Sequence, residues 1–213
     1  MDITLQHVCP SFLEGTGSEV WGQEVHFPEK SVVNVAAPSG TGKTSFASIL
    51  YGLLPEYSGA LLFDGKDVAS LNRQEWAQLR QHKLALMFQD LRLFDQLTCL
   101  DNVLIKAGQT HRIHATDEAF VETAFERLGM TPRLQALAGS CSQGEKQRVA
   151  FIRALVQPFD WILLDEPFSH LDEACILAMR DLLLEVCDRN QAGMIVTSLA
   201  TDTWLPYDMA VAL

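Results

Sequence analysis

Eight consecutive residues, Ala37-Pro38-Ser39-Gly40-Thr41-Gly42-Lys43-Thr44, constrain this chain more than any others. They follow a short apolar run, Val32 to Ala36, that reads as a buried strand. They precede Thr44 to Leu54, where Phe46, Ile49, Leu50 and Leu53 recur at helical spacing and Pro55 is expected to stop the helix. A strand that passes through glycines into a helix is built to hold phosphate. The glycines let backbone N–H groups turn inward, and the helix N-terminus adds a favourable field. In that arrangement Ser39, Gly40, Thr41, Gly42 and Ser45 cradle the phosphates, Lys43 reaches the β- and γ-phosphates, and Thr44 offers its hydroxyl to Mg²⁺. The pattern G-x-x-x-x-G-K-[ST] has glycine where this chain has Ala37, so the local turn is the one place where its geometry is in question.

A second cluster matches the first. Trp161 to Leu164 is four apolar residues, followed at once by Asp165 and Glu166. A buried strand ending in two acids carries negative charge to the carboxyl edge of a sheet, where ligands bind in open α/β folds. Asp165 would hold Mg²⁺ through water, and Glu166 would orient and deprotonate an attacking water. Further strands are expected at Ile3 to Val8, Glu24 to Phe27, Ala60 to Phe63, Leu84 to Phe88, Met194 to Thr197 and Met209 to Leu213. An amphipathic helix is expected at Asn72 to Gln81, and a helical pattern throughout from Asp90 to Pro158. Strand–helix alternation around a helical insert predicts an α/β fold with a mostly parallel central sheet.

Composition narrows the partners. The chain has 213 residues, enough for one large domain, and 48 % are hydrophobic. A net charge of −11, with no Lys/Arg run, disfavours a phosphodiester backbone, so no nucleic acid is expected. Five cysteines without a CxxC pair argue for reduced thiols in a cytoplasmic setting. No leader and no apolar stretch of about 20 residues is visible. Contact with a membrane is therefore expected through another protein.

The ordered set of motifs resembles the ATP-binding cassette (ABC) ATPase family along essentially the whole chain. Phe88-Gln89-Asp90 looks like the family's Q-loop, which implies that Gln89 contacts Mg²⁺ or the attacking water and relays site occupancy. Cys141-Ser142-Gln143-Gly144-Glu145-Lys146-Gln147-Arg148 resembles the signature L-S-G-G-Q-x-x-R. Cys141, Gln143 and Glu145 depart from it, but Ser142 and Gly144, the positions implied to meet the γ-phosphate of a partner cassette, are kept. Ser142 and Glu145 also have the spacing of a helix capping box. Ser169-His170-Leu171-Asp172 is similar to the D-loop. The family's V-T-H-D is here Val196-Thr197-Ser198-Leu199, so Ser198 stands where the switch histidine is expected. Phe12 occupies the region of the adenine-stacking aromatic, with Trp21 as competitor.

The resemblance implies a P-loop NTPase core at 1–89 and 158–213, an antiparallel β subdomain on the N-terminal side and a helical subdomain at 90–157. It also implies ATP and Mg²⁺ as cofactors and a homodimer or heterodimer of cassettes. An integral membrane permease is the implied partner, with this chain on the inner face of the membrane. The lost histidine leaves open a second expectation, a degenerate cassette that turns over slowly and acts as a regulatory or structural subunit.

Overall fold

The computed structural model describes residues 1–13, 17–108, 115–200 and 203–213. Its strands are β1 (Ile3–Pro10), β2 (Glu24–Phe27), β3 (Val32–Ala36), β4 (Tyr57–Phe63), β5 (Lys66–Asp67), β6 (Leu84–Met87), β7 (Trp161–Asp165), β8 (Gly193–Ser198) and β9 (Met209–Ala212). Its α-helices are α1 (Lys43–Leu50), α2 (Arg73–His82), α3 (Cys99–Gly108), α4 (Ala115–Arg127), α5 (Gln143–Leu155) and α6 (Glu173–Asn190).

Two sheets result. The first is antiparallel, in the order β2-β1-β4-β5, and the second is parallel, in the order β6-β7-β8-β3-β9. Apolar side chains alternate across the parallel sheet. Val33, Val35, Trp161, Leu163 and Ile195 face α1 and the antiparallel sheet. Ile162, Leu164, Met194 and Val196 face the helices α3 to α6. A parallel sheet covered on both faces is the stable way to bury strands with so few polar residues.

The register sets the site. Ala36 lies level with Ser198, Asp165 with Thr197, and Met87 with Leu164. Because the strands are parallel, the residues that follow β3, β6, β7 and β8 all emerge at one edge. The glycine loop, Gln89, the acid pair and Ser198 therefore meet although they are far apart in the chain.

Two expectations are corrected. Helix α1 ends at Leu50, not at Leu54. Gly52 takes φ +69°, its N–H bonds the Ile49 carbonyl, and Trp76 packs so closely that a Cβ there would lie 2.5 Å from the ring. The helix stops on this glycine and its indole neighbour, before Pro55 acts. The stretch after Asp90 is also less helical than its apolar spacing suggests. Residues 95–99 run beside 134–139, with Thr98 and Leu137 forming a bridge, and α3, α4 and α5 are separated by turns. Positions 109–114 lie outside the described residues. Helix α2 begins as expected, its Asn72 and Glu75 closing a capping box.

Candidate functional site

The glycine loop is shaped from behind. Gly42 caps α1 at φ +102°, which requires glycine, and a Cβ on it would also lie 2.5 Å from the Leu13 side chain. Gly40 is also left-handed, at φ +84°. Ala37 is not among the positive-φ residues, and its N–H bonds the Ser198 carbonyl at 2.9 Å. That explains why alanine is tolerated where the consensus has glycine: this residue does not need a left-handed φ. Trp21 is buried against Phe46, its indole N–H 3.5 Å from the Thr41 carbonyl. It props the loop and presents no free face to a base. Phe12, in the 3-10 turn Ser11–Leu13, is 64 % exposed beside Leu13 and so remains open to stacking.

The chemistry-bearing side chains converge in front of the loop. Thr44 donates its hydroxyl to Asp165 Oδ2 at 2.8 Å and lies 3.2 Å from Gln89 Oε1. Thr197 donates to the other oxygen, Asp165 Oδ1, at 2.5 Å. The Lys43 ammonium donates to the Ala37 and Pro38 carbonyls at 2.8 and 2.9 Å and lies 3.3 Å from Glu166 Oε1. These two side chains are 5 % and 12 % exposed, so their charges act through little water.

Three hard oxygens from Thr44, Gln89 and Asp165 suit Mg²⁺. Neighbouring ligands of an octahedral Mg²⁺ at about 2.0–2.1 Å lie about 3 Å apart, and the two contacts of 2.8 and 3.2 Å fall at that spacing. No group of three His, Cys, Asp or Glu side chains able to hold a metal occurs among the described residues. A cation here would thus have one carboxylate and depend on phosphate oxygens for the rest, which is how Mg²⁺ usually sits with nucleotides.

Glu166 is held in an uncommon conformation, φ +52°. Two neighbours that sequence reading passed over position it. The Thr197 hydroxyl and carbonyl both accept from the Glu166 N–H at 3.2 Å. Gln147, buried on α5, donates to the Pro167 carbonyl at 2.6 Å and lies 3.4 Å from the Glu166 carbonyl. Ser169 donates to that same carbonyl at 3.0 Å. Such a backbone costs on the order of 1–3 kcal/mol and persists only where its surroundings over-determine it. A polar residue in the buried face of a helix was the available signal for Gln147.

Ser142 and Gly144 are not part of this cluster. Ser142 caps α5 and accepts from the Glu145 N–H, while Glu145 accepts from the Ser142 N–H and pairs with Arg133 at 2.8 Å. The Ser142 N–H, then Arg133, hold the Glu145 carboxyl below its usual range. The capping box is formed, and Ser142 and Gln143 are exposed at the helix start with Gly144 half-buried behind them. Ser198 ends β8 with its hydroxyl already engaged. It donates to the Ala200 carbonyl at 2.7 Å and accepts from the buried Asn34 amide at 3.0 Å. His170 is exposed, at φ +61°.

A parallel sheet whose carboxyl edge carries a glycine loop, its lysine and threonine, and a strand-end acid pair defines a P-loop nucleotide-binding fold. The family model described as ABC transporter matches residues 22–169, and the chain belongs to that family, among its ATP-binding subunits. A lipoprotein-releasing system ATP-binding protein LolD of Porphyromonas gingivalis is 32 % identical over 198 residues, covering 92 % of this chain and 90 % of that protein. The LolD of Legionella pneumophila strain Lens is 30 % identical, covering 92 % and 87 %. An uncharacterized ABC transporter ATP-binding protein of Mycobacterium tuberculosis is 29 % identical, and the chain spans 60 % of its length. The dimeric structure of MJ0796, a bacterial ABC transporter cassette, superposes with a TM-score of 0.80 at 23 % identity, covering 92 % of this chain and 88 % of that one. That last likeness speaks to the fold.

Proposed function

We propose that this chain binds Mg-ATP and hydrolyses it as the nucleotide-binding subunit of an ABC transporter, working as a homodimer or heterodimer of cassettes. The observation that carries the reading is the convergence of Thr44, Gln89 and Asp165 oxygens beside the Lys43–Glu166 pair. Lys43 and the loop N–H groups hold the β- and γ-phosphates, and Thr44, Gln89 and Asp165 hold the cation. Bound Mg²⁺ supplies charge neutralisation at the phosphates. Glu166 takes the proton of the attacking water, and Thr197 and Gln147 keep its backbone in place. Ser142 and Gly144 serve the γ-phosphate of the facing cassette, and Phe12 stacks on adenine.

Lys43→Ala tests the assignment. Hydrogen bonds to charged groups contribute about 1.5–3 kcal/mol, so ATP affinity should fall roughly tenfold to a hundredfold by calorimetry. The far-ultraviolet circular dichroism spectrum should not change, because the loss of the bonds to the Ala37 and Pro38 carbonyls and to Glu166 is confined to the loop and leaves the strand and helix ladders intact. Equal affinity in the two proteins would refute the loop's role.

We further take the chain as one cassette, core 1–89 and 158–213, with residues 90–157 as the helical part that meets a permease. No helix among the described residues is long and apolar enough to cross a membrane. A groove of about 190 Å³ beside the Q-loop suits that contact, lined among others by Phe88, Phe94, Ile105 and Lys106. Phe94 and Ile105 are exposed, burial pushes the Lys106 pKa down, and the Oε1 of buried Gln157 has no partner. An apolar helix carrying a carboxylate for Lys106 and an N–H or O–H donor for Gln157 Oε1 fits these groups. Gln89→Ala and Lys106→Glu should each leave ATP affinity within a few-fold and lower permease-stimulated turnover. Normal stimulation in both would move the permease elsewhere.

A second reading has its own support. The Ser198 hydroxyl is committed to Asn34 and Ala200, which favours a slow cassette that regulates a faster partner.

A further inference from the structure

Two thiols that the nucleotide chemistry does not use touch each other behind the signature loop. Cys99 Sγ and Cys141 Sγ lie 3.4 Å apart, although 42 positions separate them in the chain. The two residues are 0 % and 8 % exposed. Backbone hydrogen bonds hold them in place. The N–H groups of Cys99 and Leu100 bond the carbonyls of Ala136 and Leu134, and those of Ala138 and Gly139 bond Leu97 and Asp95, all at 2.9–3.0 Å. Cys141 lies two residues beyond this laced segment, and Ser142, the cap of α5, comes next. Cys99 opens α3, the helix that carries Ile105 and Lys106 of the groove beside the Q-loop.

We propose that Cys99 and Cys141 are a modification site: a peroxide-class oxidant joins them in a disulfide that locks the start of α5 to the start of α3. A disulfide needs sulfurs about 2.05 Å apart, so the pair must close by about 1.4 Å, within reach of side-chain rotation. Cys141, the more exposed of the two, reacts first. Its sulfur attacks one peroxide oxygen, the O–O bond breaks, and a sulfenic acid and water form. The Cys99 sulfur then attacks the sulfenic sulfur. The S–O bond breaks, hydroxide leaves, and it takes the Cys99 proton as a second water. Two thiols lose two electrons in all, and peroxide gains them. Burial, then the Cys141 contact, pushes the Cys99 thiol up to about 12. The second step is therefore slow at neutral pH, and the device answers sustained oxidant rather than a brief pulse.

The cross-link itself does not depend on the proposed function. Its effect on turnover rests on the reading of Ser142 and Gly144 as the site for the facing γ-phosphate. Once joined, the loop that presents them cannot shift against α3.

The test treats the folded, full-length chain with hydrogen peroxide, blocks remaining thiols with iodoacetamide and maps the peptides by mass spectrometry. A linked peptide pair containing Cys99 and Cys141, two hydrogens lighter than the free peptides, is expected. It should be absent from C99S and from C141S, and dithiothreitol should reverse it. The Tm of the oxidised wild type should rise, and that of the C99V/C141L variant, which keeps an apolar contact, should not respond. ATP turnover of the oxidised wild type should fall several-fold and recover with dithiothreitol. Full alkylation of both cysteines after peroxide, or a sulfinic acid at Cys141 without the link, overturns the pair. A linked protein with unchanged Tm and unchanged turnover overturns the lock. If the reduced protein shows no ATP turnover, the proposed function fails, while the linked peptide and the Tm rise still decide this site.

Discussion

Replacing Glu166 by glutamine should leave ATP binding intact and slow turnover by about 10²–10⁴, the usual worth of a positioned general base. The amide matches the carboxylate in shape, but it does not accept the proton of the attacking water. Structure should survive the change. Lys43 loses its contact with Glu166 Oε1 at 3.3 Å but keeps its bonds to the Ala37 and Pro38 carbonyls. The backbone of residue 166 remains clamped by Thr197, Ser169 and Gln147, none of which touches the carboxylate. Removing a negative charge beside the phosphate-facing lysine should hold ATP affinity level or raise it. The variant should then accumulate as an ATP-bound dimer, seen by chromatography with and without ATP, while phosphate release reports the loss of rate. Wild-type turnover in the variant would take Glu166 out of the base role and direct attention to Asp165, the other acid of the pair, which Thr44 bonds at 2.8 Å.

What the sequence made legible, and what it did not, follows from the range of each interaction. The strand–loop–helix at 32–50 and the acid pair at 165–166 rest on neighbours in the chain, and each appears where residue type and spacing place it. The capping box at Ser142 is local in the same way. The end of α1 was missed because it depends on Trp76 closing over Gly52, a contact made across the fold. Trp21 could be read as a stacking ring until the structure buried it against Phe46. Thr197 and Gln147 gain meaning only when β8 and α5 are brought beside Glu166. The Cys99–Cys141 contact likewise exists only because residues 95–100 pair with 134–139. Even Ala37, suspect by motif, was settled by a torsion angle that no sequence pattern reports.

Ser198→His should raise turnover if a missing donor to the developing phosphate charge limits the rate. A well-placed donor of this kind is worth about 10²–10³ in kcat, roughly 3–4 kcal/mol. Serine does not supply it here. Its hydroxyl proton goes to the Ala200 carbonyl, and its lone pair is taken by the Asn34 amide. An imidazole would have room, because a cavity of about 210 Å³ lies between Ser198, Leu199, Trp204 and the Glu166–Ser169 turn. The substitution carries a cost below the sheet. Asn34 is fully buried, its Oδ1 already has no partner, and the histidine would take away the acceptor of its amide. One unsatisfied buried group costs about 1–3 kcal/mol, so Tm should fall even as kcat rises, and rates must be scaled to folded protein. The exposed His170 offers a rival source for the donor, from the facing cassette. His170→Ala should lower turnover only if that source is real, and Ser198→His should then add little. If neither substitution changes kcat and the wild type already turns over at about 10 s⁻¹, a common value for enzymes, the donor is not limiting. The committed Ser198 hydroxyl would then be part of a working site, and the slow-cassette reading would fall with it.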